Sequence, residues 1–72
     1  MTRMVYRILG RRKIDISRMD IKTNHGVVYL RGQVKRLRGF DFDLKEEMEI
    51  IRRILRGTQG IRDVHTEDLI IR

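Results

Sequence analysis

The chain has no cysteine, no proline and no tryptophan, and its single serine is Ser17. Without cysteine, neither a disulfide nor a thiolate metal site can brace the fold, and nothing in the composition points to an oxidising compartment. A chain of 72 residues buries only about 60% of its unfolded surface, so we expect one domain with a thin core and no large catalytic cleft. The sequence therefore predicts a fold that depends on packing alone.

Acidic residues are scarce in the first half of the chain. Up to Arg38 there are eleven Lys or Arg and two acids, a net charge of +9, whereas from Gly39 onward six Lys or Arg accompany eight acids, a net charge of −2. The positive potential therefore belongs to the N-terminal half. Such asymmetry indicates an anionic partner, either a phospholipid surface or a nucleic acid.

Long apolar runs are also missing. No segment approaches the ~20 apolar residues of a membrane span. The first apolar stretch is interrupted by Arg7 before Ile8 and Leu9, so no signal peptide is predicted. We therefore expect a cytoplasmic chain without a transmembrane segment, which would reach a membrane only from its surface.

Residues 18–35 have the pattern of a β-hairpin. Apolar or β-branched residues alternate along both arms: Met19, Ile21, Thr23, then Val28, Leu30 and Val34. Between the arms lies Asn24-His25-Gly26, where Gly26 adopts positive φ without a Cβ clash and Asn24 tolerates it. The opposite face carries Lys22, Tyr29, Arg31 and Gln33. The apolar face needs a cover, which the rest of the chain must supply.

Two amphipathic helices are predicted as that cover. The first spans residues 2–10, with Thr2 as N-cap and Gly10 at its end. Its apolar stripe is Met4, Val5, Ile8 and Leu9, and Arg3, Arg7 and Arg11 lie near the opposite side. The stripe could pack on the sheet or on a membrane, and we favour the sheet.

The second helix spans residues 43–56 behind a capping box of Asp43 and Glu46. Its apolar positions are Leu44, Met48, Ile51 and Leu55.

The last strand is predicted over residues 61–71. Val64 and Thr66 have one parity, whereas Leu69 and Ile71 have the other, which predicts a β-bulge near Glu67 or Asp68. Before this strand, residues 57–60 have the form G-x-x-G found in KH-class RNA binders. That loop joins two helices, whereas here a strand follows, so the KH interpretation is rejected.

The loop between the hairpin and the second helix combines cations with both phenylalanines of the chain, Phe40 and Phe42. Cations can contact anionic headgroups while aromatic rings enter the headgroup boundary. The same set could stack the bases of a single-stranded nucleic acid. Alternatively, one or both rings fold under the second helix and complete the core.

No catalytic or metal site is predicted. Ser17 has no neighbouring base that could activate it as a nucleophile. His25 lies alone in the turn, and Asp63, His65 and Glu67 on one strand face lack the second histidine that would favour a metal site. We therefore expect no cofactor and no enzymatic activity.

The residue pattern resembles the BON domain, the bacterial osmotic-shock and nodulation domain. The resemblance lies in the hairpin stretch from Gly26 to Val34, similar to the family's G-V-V-x-L-x-G-x-V, and in Gly60-Ile61-Arg62-Asp63-Val64 with the later Leu69-Ile70-Ile71. It covers most of the chain in the family's order. The resemblance implies an α+β fold, an αββαβ sandwich whose three-stranded mixed sheet carries two helices on one face.

The resemblance also implies a non-catalytic module that attaches reversibly to anionic phospholipid or to membrane-associated surfaces. The expected headgroup contacts are Arg7, Arg11, Arg12, Lys35, Arg36 and Arg38, and the expected inserting rings are Phe40 and Phe42. One alternative is a protein-interaction or self-association module that uses Tyr29 and Arg31 on the sheet. A second alternative is a basic nucleic-acid-binding domain.

Overall fold

The protein combines two helices with a five-stranded sheet, in agreement with the predicted α+β class. The computed structural model describes residues 2–72. The helices are α1 (Thr2–Gly10) and α2 (Leu44–Arg56), and the strands are β1 (Ile14–Asp15), β2 (Met19–Asn24), β3 (Val27–Arg36), β4 (Asp63–His65) and β5 (Leu69–Ile71). No helix in this part of the chain has the length and apolar character to cross a bilayer.

The hairpin of β2 and β3 turns through two residues, His25 and Gly26, with φ angles of 51° and 82°. Positive φ at both loop positions is what a type I′ hairpin turn requires. Asn24, which we expected to share the turn, is instead the last residue of β2 and pairs with Val27. The Arg62 amide donates to the Gly26 carbonyl at 2.7 Å, so the turn is held against the chain that follows α2.

Strand β3 is the centre of the sheet. It pairs with β1 and β2 in antiparallel orientation and with β4 and β5 in parallel orientation. Between Tyr29↔His65 and Gly32↔Leu69, β3 advances three residues while its partner advances four. The extra residue predicted from the change of parity is therefore observed, and it divides the expected strand over 61–71 into β4 and β5.

A second, unpredicted interruption lies across β3 from the first, between β1 and β2. The Met19 amide donates to the Ile16 carbonyl at 3.0 Å, just as the Leu69 amide donates to the Thr66 carbonyl at 3.1 Å. Both small turns lie beside Gly32, which has a φ of 96°. A Cβ at this position would lie 2.3 Å from the Arg18 carbonyl oxygen. The doubly interrupted sheet therefore requires glycine at the centre of β3.

The core lies between one face of the sheet and both helices. The sheet contributes alternate residues, and the helices contribute their apolar stripes: Met19, Ile21, Val28, Leu30, Val34, Val64 and Leu69 from the strands, and Val5, Leu9, Leu44, Met48, Ile51 and Leu55 from the helices. Met4 and Ile8 also pack against this cluster. The apolar stripe of α1 is thus occupied by the sheet, as favoured above, and is not free for a membrane.

The N-terminus of α2 is capped by Asp43. Its carboxylate accepts hydrogen bonds from the amides of Lys45 and Glu46 at 3.0 and 3.3 Å. These bonds satisfy amides that the first turn of a helix would otherwise leave unpaired. The cap fixes where α2 begins, and it brings the acidic first turn beside the basic link between α1 and β1.

Candidate functional site

A groove of about 520 Å³ lies between the link of residues 11–13 and the start of α2. We call it the groove. Its lining residues are Arg11, Arg12, Lys13, Phe40, Asp41, Phe42, Asp43, Glu46, Glu47 and Ile50. Four of the residues predicted to contact a membrane therefore meet here: Arg11, Arg12, Phe40 and Phe42. The lining has three cations and four carboxylates, so the predicted cationic contacts Arg11 and Arg12 lie beside acidic side chains.

Arg12 is engaged by Glu47 across the groove. Its Nε and Nη2 donate to the two carboxylate oxygens of Glu47 at 2.6 and 3.0 Å. The Glu47 side chain is only 13% exposed. The hydrogen bond raises the pKa of Arg12 and lowers the pKa of Glu47, because it favours the charged form of each group. Through these bonds with Glu47, Arg12 joins the link of residues 11–13 to α2.

Lys35 and Arg36 also have partners within the protein. Lys35 Nζ lies 3.9 Å from a carboxylate oxygen of Asp15. Arg36 Nη1 donates to the Phe42 carbonyl at 2.8 Å and lies 3.5 Å from Asp41. Arg36 therefore organises the loop before α2. Arg38, in contrast, is exposed and forms no ion pair within residues 2–72.

The two phenylalanines have different environments. Phe40 is 44% exposed, and the ammonium of Lys13 lies 5.0 Å from the centre of its ring. Phe42 is partly buried and packs against the core. Phe40 is therefore the ring that remains accessible, while Phe42 follows the alternative in which a ring contributes to the core. Both follow a glycine or an aspartate in a short loop, and no local pattern in the sequence distinguishes them.

The exposed side of α1, with Arg11 directly after its last residue, carries a column of arginines. Arg3, Arg7 and Arg11 are spaced four residues apart, and all three are exposed. Tyr6, between them, is 41% exposed. There is no Asp or Glu from residue 2 to residue 14. We call Arg3, Tyr6, Arg7 and Arg11 the α1 face. The predicted contacts included Arg7 and Arg11 but omitted Arg3, which the same helical spacing identifies.

The surface of the sheet opposite the helices contains an aromatic stack. The rings of Tyr29 and His65, neighbours on β3 and β4, are 5.2 Å apart and nearly parallel at 12°. We call this surface, with Arg31, the outer sheet face. Arg31 Nε lies 4.0 Å from Asp68. The sequence indicated Tyr29 and Arg31 as partner contacts, but the stack depends on the register between β3 and β4.

His65, the last residue of β4, contacts an acidic side chain two residues before it and another two residues after it. Its Nδ1 lies 3.0 Å from Glu67 Oε1, and its Nε2 lies 3.5 Å from Asp63 Oδ2. The hydrogen bond with Glu67, followed by the charges of both acids, raises the pKa of His65. Within residues 2–72 no three His, Cys, Asp or Glu side chains are grouped so that they could hold a metal ion.

No protein-family model matches the chain, and neither a curated protein nor a solved structure matches it. Function is therefore inferred from the three surfaces described above. The α1 face is cationic, the groove carries both signs of charge, and the outer sheet face carries an aromatic stack.

Proposed function

We propose that the protein is a non-catalytic, BON-like module that attaches reversibly to anionic phospholipid surfaces. The pairing of β1 and β2 with one side of β3, and of β4 and β5 with the other, supports reading each pair as a single interrupted strand. The sheet then has three strands, two of them interrupted, and the element order becomes αββαβ, as the resemblance implies.

The α1 face is the observation that carries the proposal. Its three arginines are exposed and form no ion pair within residues 2–72. Within α1, the like charges of Arg3 and Arg7 at a spacing of four residues destabilise the helix by a few tenths of a kcal/mol, and an anionic surface removes that repulsion. Each cation near such a surface contributes ~1 kcal/mol. Three together support reversible attachment without a transmembrane segment.

Phe40 and Arg38 extend the same attachment. Phe40 is exposed beside Lys13, so a ring and an ammonium reach the surface together. Such a pair suits the boundary between headgroups and acyl chains, where aromatic rings and basic side chains both find favourable surroundings. Arg12, Arg36 and Phe42 are bonded or packed within the protein and support this surface rather than contacting lipid.

Vesicle sedimentation tests the proposal. Vesicles of phosphatidylglycerol mixed with phosphatidylcholine should bind the protein, whereas vesicles of phosphatidylcholine alone should not. Replacing Arg3 and Arg7 by Gln removes two contacts and should weaken binding roughly thirtyfold. The control variant, with Lys45 and Arg53 replaced by Gln, loses the same charge from exposed positions on α2. It should change binding little.

Two results would contradict the proposal. Equal partition into both kinds of vesicle at low salt would show that anionic lipid is not recognised. A salt-dependent mobility shift with single-stranded RNA or DNA, without vesicle binding, would assign the α1 face to nucleic acid instead.

A second candidate function is protein interaction through the outer sheet face. The observation that favours it is the Tyr29–His65 stack, because Tyr29 is 38% exposed on a surface that neither helix covers. Aromatic side chains are enriched at protein interfaces. Light scattering over a range of concentrations tests self-association: a dimer lost on replacing Tyr29 by Ala would support it, and a monomer throughout would count against it.

A further inference from the structure

The groove has cationic and acidic walls that face each other. Arg11 and Lys13 belong to the link between α1 and β1, and neither forms an ion pair within the described residues. On the other side, Glu46 is exposed in the first turn of α2, also without an ion-pair partner in residues 2–72. The Arg12–Glu47 contact joins the two walls and holds them at a fixed separation.

Because its two walls carry opposite charges, the groove favours neither a simple anion nor a simple cation. An anion attracted by Arg11 and Lys13 also meets the carboxylates of Asp43 and Glu46, and a cation attracted by those carboxylates meets the two basic groups. A molecule that carries both signs satisfies both walls at once. The volume of about 520 Å³ lies within the range of small-molecule sites, about 300–1,000 Å³.

Phe40 adds a preference for an ammonium group. Its exposed ring already accepts the ammonium of Lys13 at 5.0 Å. Aromatic faces attract such cations through the ring quadrupole. A ligand ammonium placed between Phe40 and Glu46 would replace Lys13 there, and Lys13 would become free to join Arg11 at the anionic end of the ligand.

The geometry points to the groove as a site for a zwitterionic phosphoester in which a short linker joins a phosphate to a primary ammonium. The trimethylammonium of phosphatidylcholine has no N–H group to donate to the Glu46 carboxylate, so phosphatidylcholine serves as the control lipid. Arg11 and Lys13 hold the phosphate, while Glu46 and Phe40 hold the ammonium. The same chemistry occurs in free phosphoethanolamine and in the headgroup of phosphatidylethanolamine. The inference rests on the proposed function for its lipid source and deepens it, because it adds headgroup selection to a general attraction for anionic surfaces.

Amide NMR titration of the full chain tests the site. O-phosphoethanolamine should give saturable shifts at Lys13, Phe40 and Glu46. Inorganic phosphate and ethanolamine, the two halves of the probe, should give weaker shifts at the same concentration. Equal shifts with phosphate alone would reduce the groove to a simple anion site, and absence of shifts with all three probes would exclude it; either result overturns the inference.

Substitutions that remove one charge from each wall test whether both walls contact the ligand. Arg11→Gln and Glu46→Gln should each weaken phosphoethanolamine binding at least about tenfold, the loss expected when one charged contact of roughly 1.4 kcal/mol is removed. Arg53→Gln and Asp20→Asn remove exposed charges outside the groove lining and should leave binding unchanged. A loss in only one of the two groove variants would contradict a site that grips both ends of the ligand.

Vesicles separate this inference from the proposed function. Phosphatidylethanolamine mixed with phosphatidylcholine should retain more protein than phosphatidylcholine alone, and Glu46→Gln should abolish the difference. If free phosphoethanolamine binds but these vesicles do not, the lipid source is wrong and the free ester is the ligand. If no probe binds the groove while phosphatidylglycerol vesicles still bind the α1 face, the groove inference fails and the proposed function stands.

Discussion

Replacing Gly32 by Ala should destabilise the fold more than the same replacement at Gly10 or Gly39. Gly32 has a φ of 96°, and an added Cβ would lie 2.3 Å from the Arg18 carbonyl oxygen. That oxygen accepts a hydrogen bond from the Gln33 amide at 3.0 Å. The carbonyl therefore cannot withdraw from the new methyl group without weakening the bond that joins the turn before β2 to β3.

The size of the effect follows from two costs. Holding an alanine at positive φ costs about 1–2 kcal/mol. Displacing the carbonyl and losing its hydrogen bond adds about 1–2 kcal/mol. The expected loss is thus about 2–4 kcal/mol. A chain of 72 residues has a free energy of unfolding of about 4–11 kcal/mol, so the variant loses a large share of its stability.

Urea denaturation followed by far-ultraviolet circular dichroism measures the change, with two glycines as matched controls. Gly39 has a φ of 92° but no atom within 4 Å of an added Cβ, so Gly39→Ala should cost only the backbone strain of about 1–2 kcal/mol. Gly10 lies in α1 with the same free space, and Gly10→Ala should stabilise by about 0.5–1 kcal/mol. The reasoning is refuted if Gly32→Ala costs no more than Gly39→Ala.

Three further predictions concern the turn, the groove and the sheet. His25→Asn supplies the residue that a type I′ turn prefers and should raise the free energy of unfolding by roughly 0.5–1 kcal/mol, seen as a higher Tm; an unchanged Tm would contradict the turn assignment. Arg12→Gln and Glu47→Gln should be coupled by about 1–2 kcal/mol in a double-mutant cycle, because the two hydrogen bonds cross the groove, and additive effects would rule this out. The pKa of His65, raised above its ordinary value of 6.5, should fall towards that value in Glu67→Gln by NMR titration. The contribution of protonated His65 to the free energy of unfolding should be complete below about pH 6.5 and should be lost as the pH rises through the raised pKa of His65.

Local pattern explains why the hairpin and α2 were predictable. The alternation around residues 24–26 determines which side of each strand is buried, and Asp43 marks the start of α2 by capping it. These signals act over a few residues, so they can be read from the chain alone. The parity change before Leu69 is of the same kind, and it predicted the extra residue between Tyr29↔His65 and Gly32↔Leu69 correctly, although the strand was expected to continue through it.

Features that depend on distant parts of the chain were not predictable. The interruption between β1 and β2 is an exception, because Ile14 and Ile16 have one parity whereas Met19 and Ile21 have the other. The sequence thus carries the signal, but the strand was predicted to begin only at residue 18. The Arg12–Glu47 contact joins residues 35 positions apart. Arg12 was predicted to contact a headgroup, but it has a structural role instead. Only the packing of α1 and α2 brings Arg12 and Glu47 together.

The difference between Phe40 and Phe42 has the same origin. Both rings follow the same basic loop, and their burial depends on how Arg36 anchors the loop through the Phe42 carbonyl. The loop and the first helix, named from the sequence, both carry exposed cations, and their contact with a partner stays a prediction. Which cations remain free depends on the carboxylates that the fold brings beside them.

The two interruptions beside Gly32 have a consequence for how copies of this chain meet. Sheet borders with unpaired amides and carbonyls recruit further strands and lead to fibrous growth, and a local kink is one natural defence. Here both borders are broken at the same level, by the turns before Met19 and before Leu69. Neither border offers a long straight template, so crowding at high concentration should not polymerise the protein through added strands.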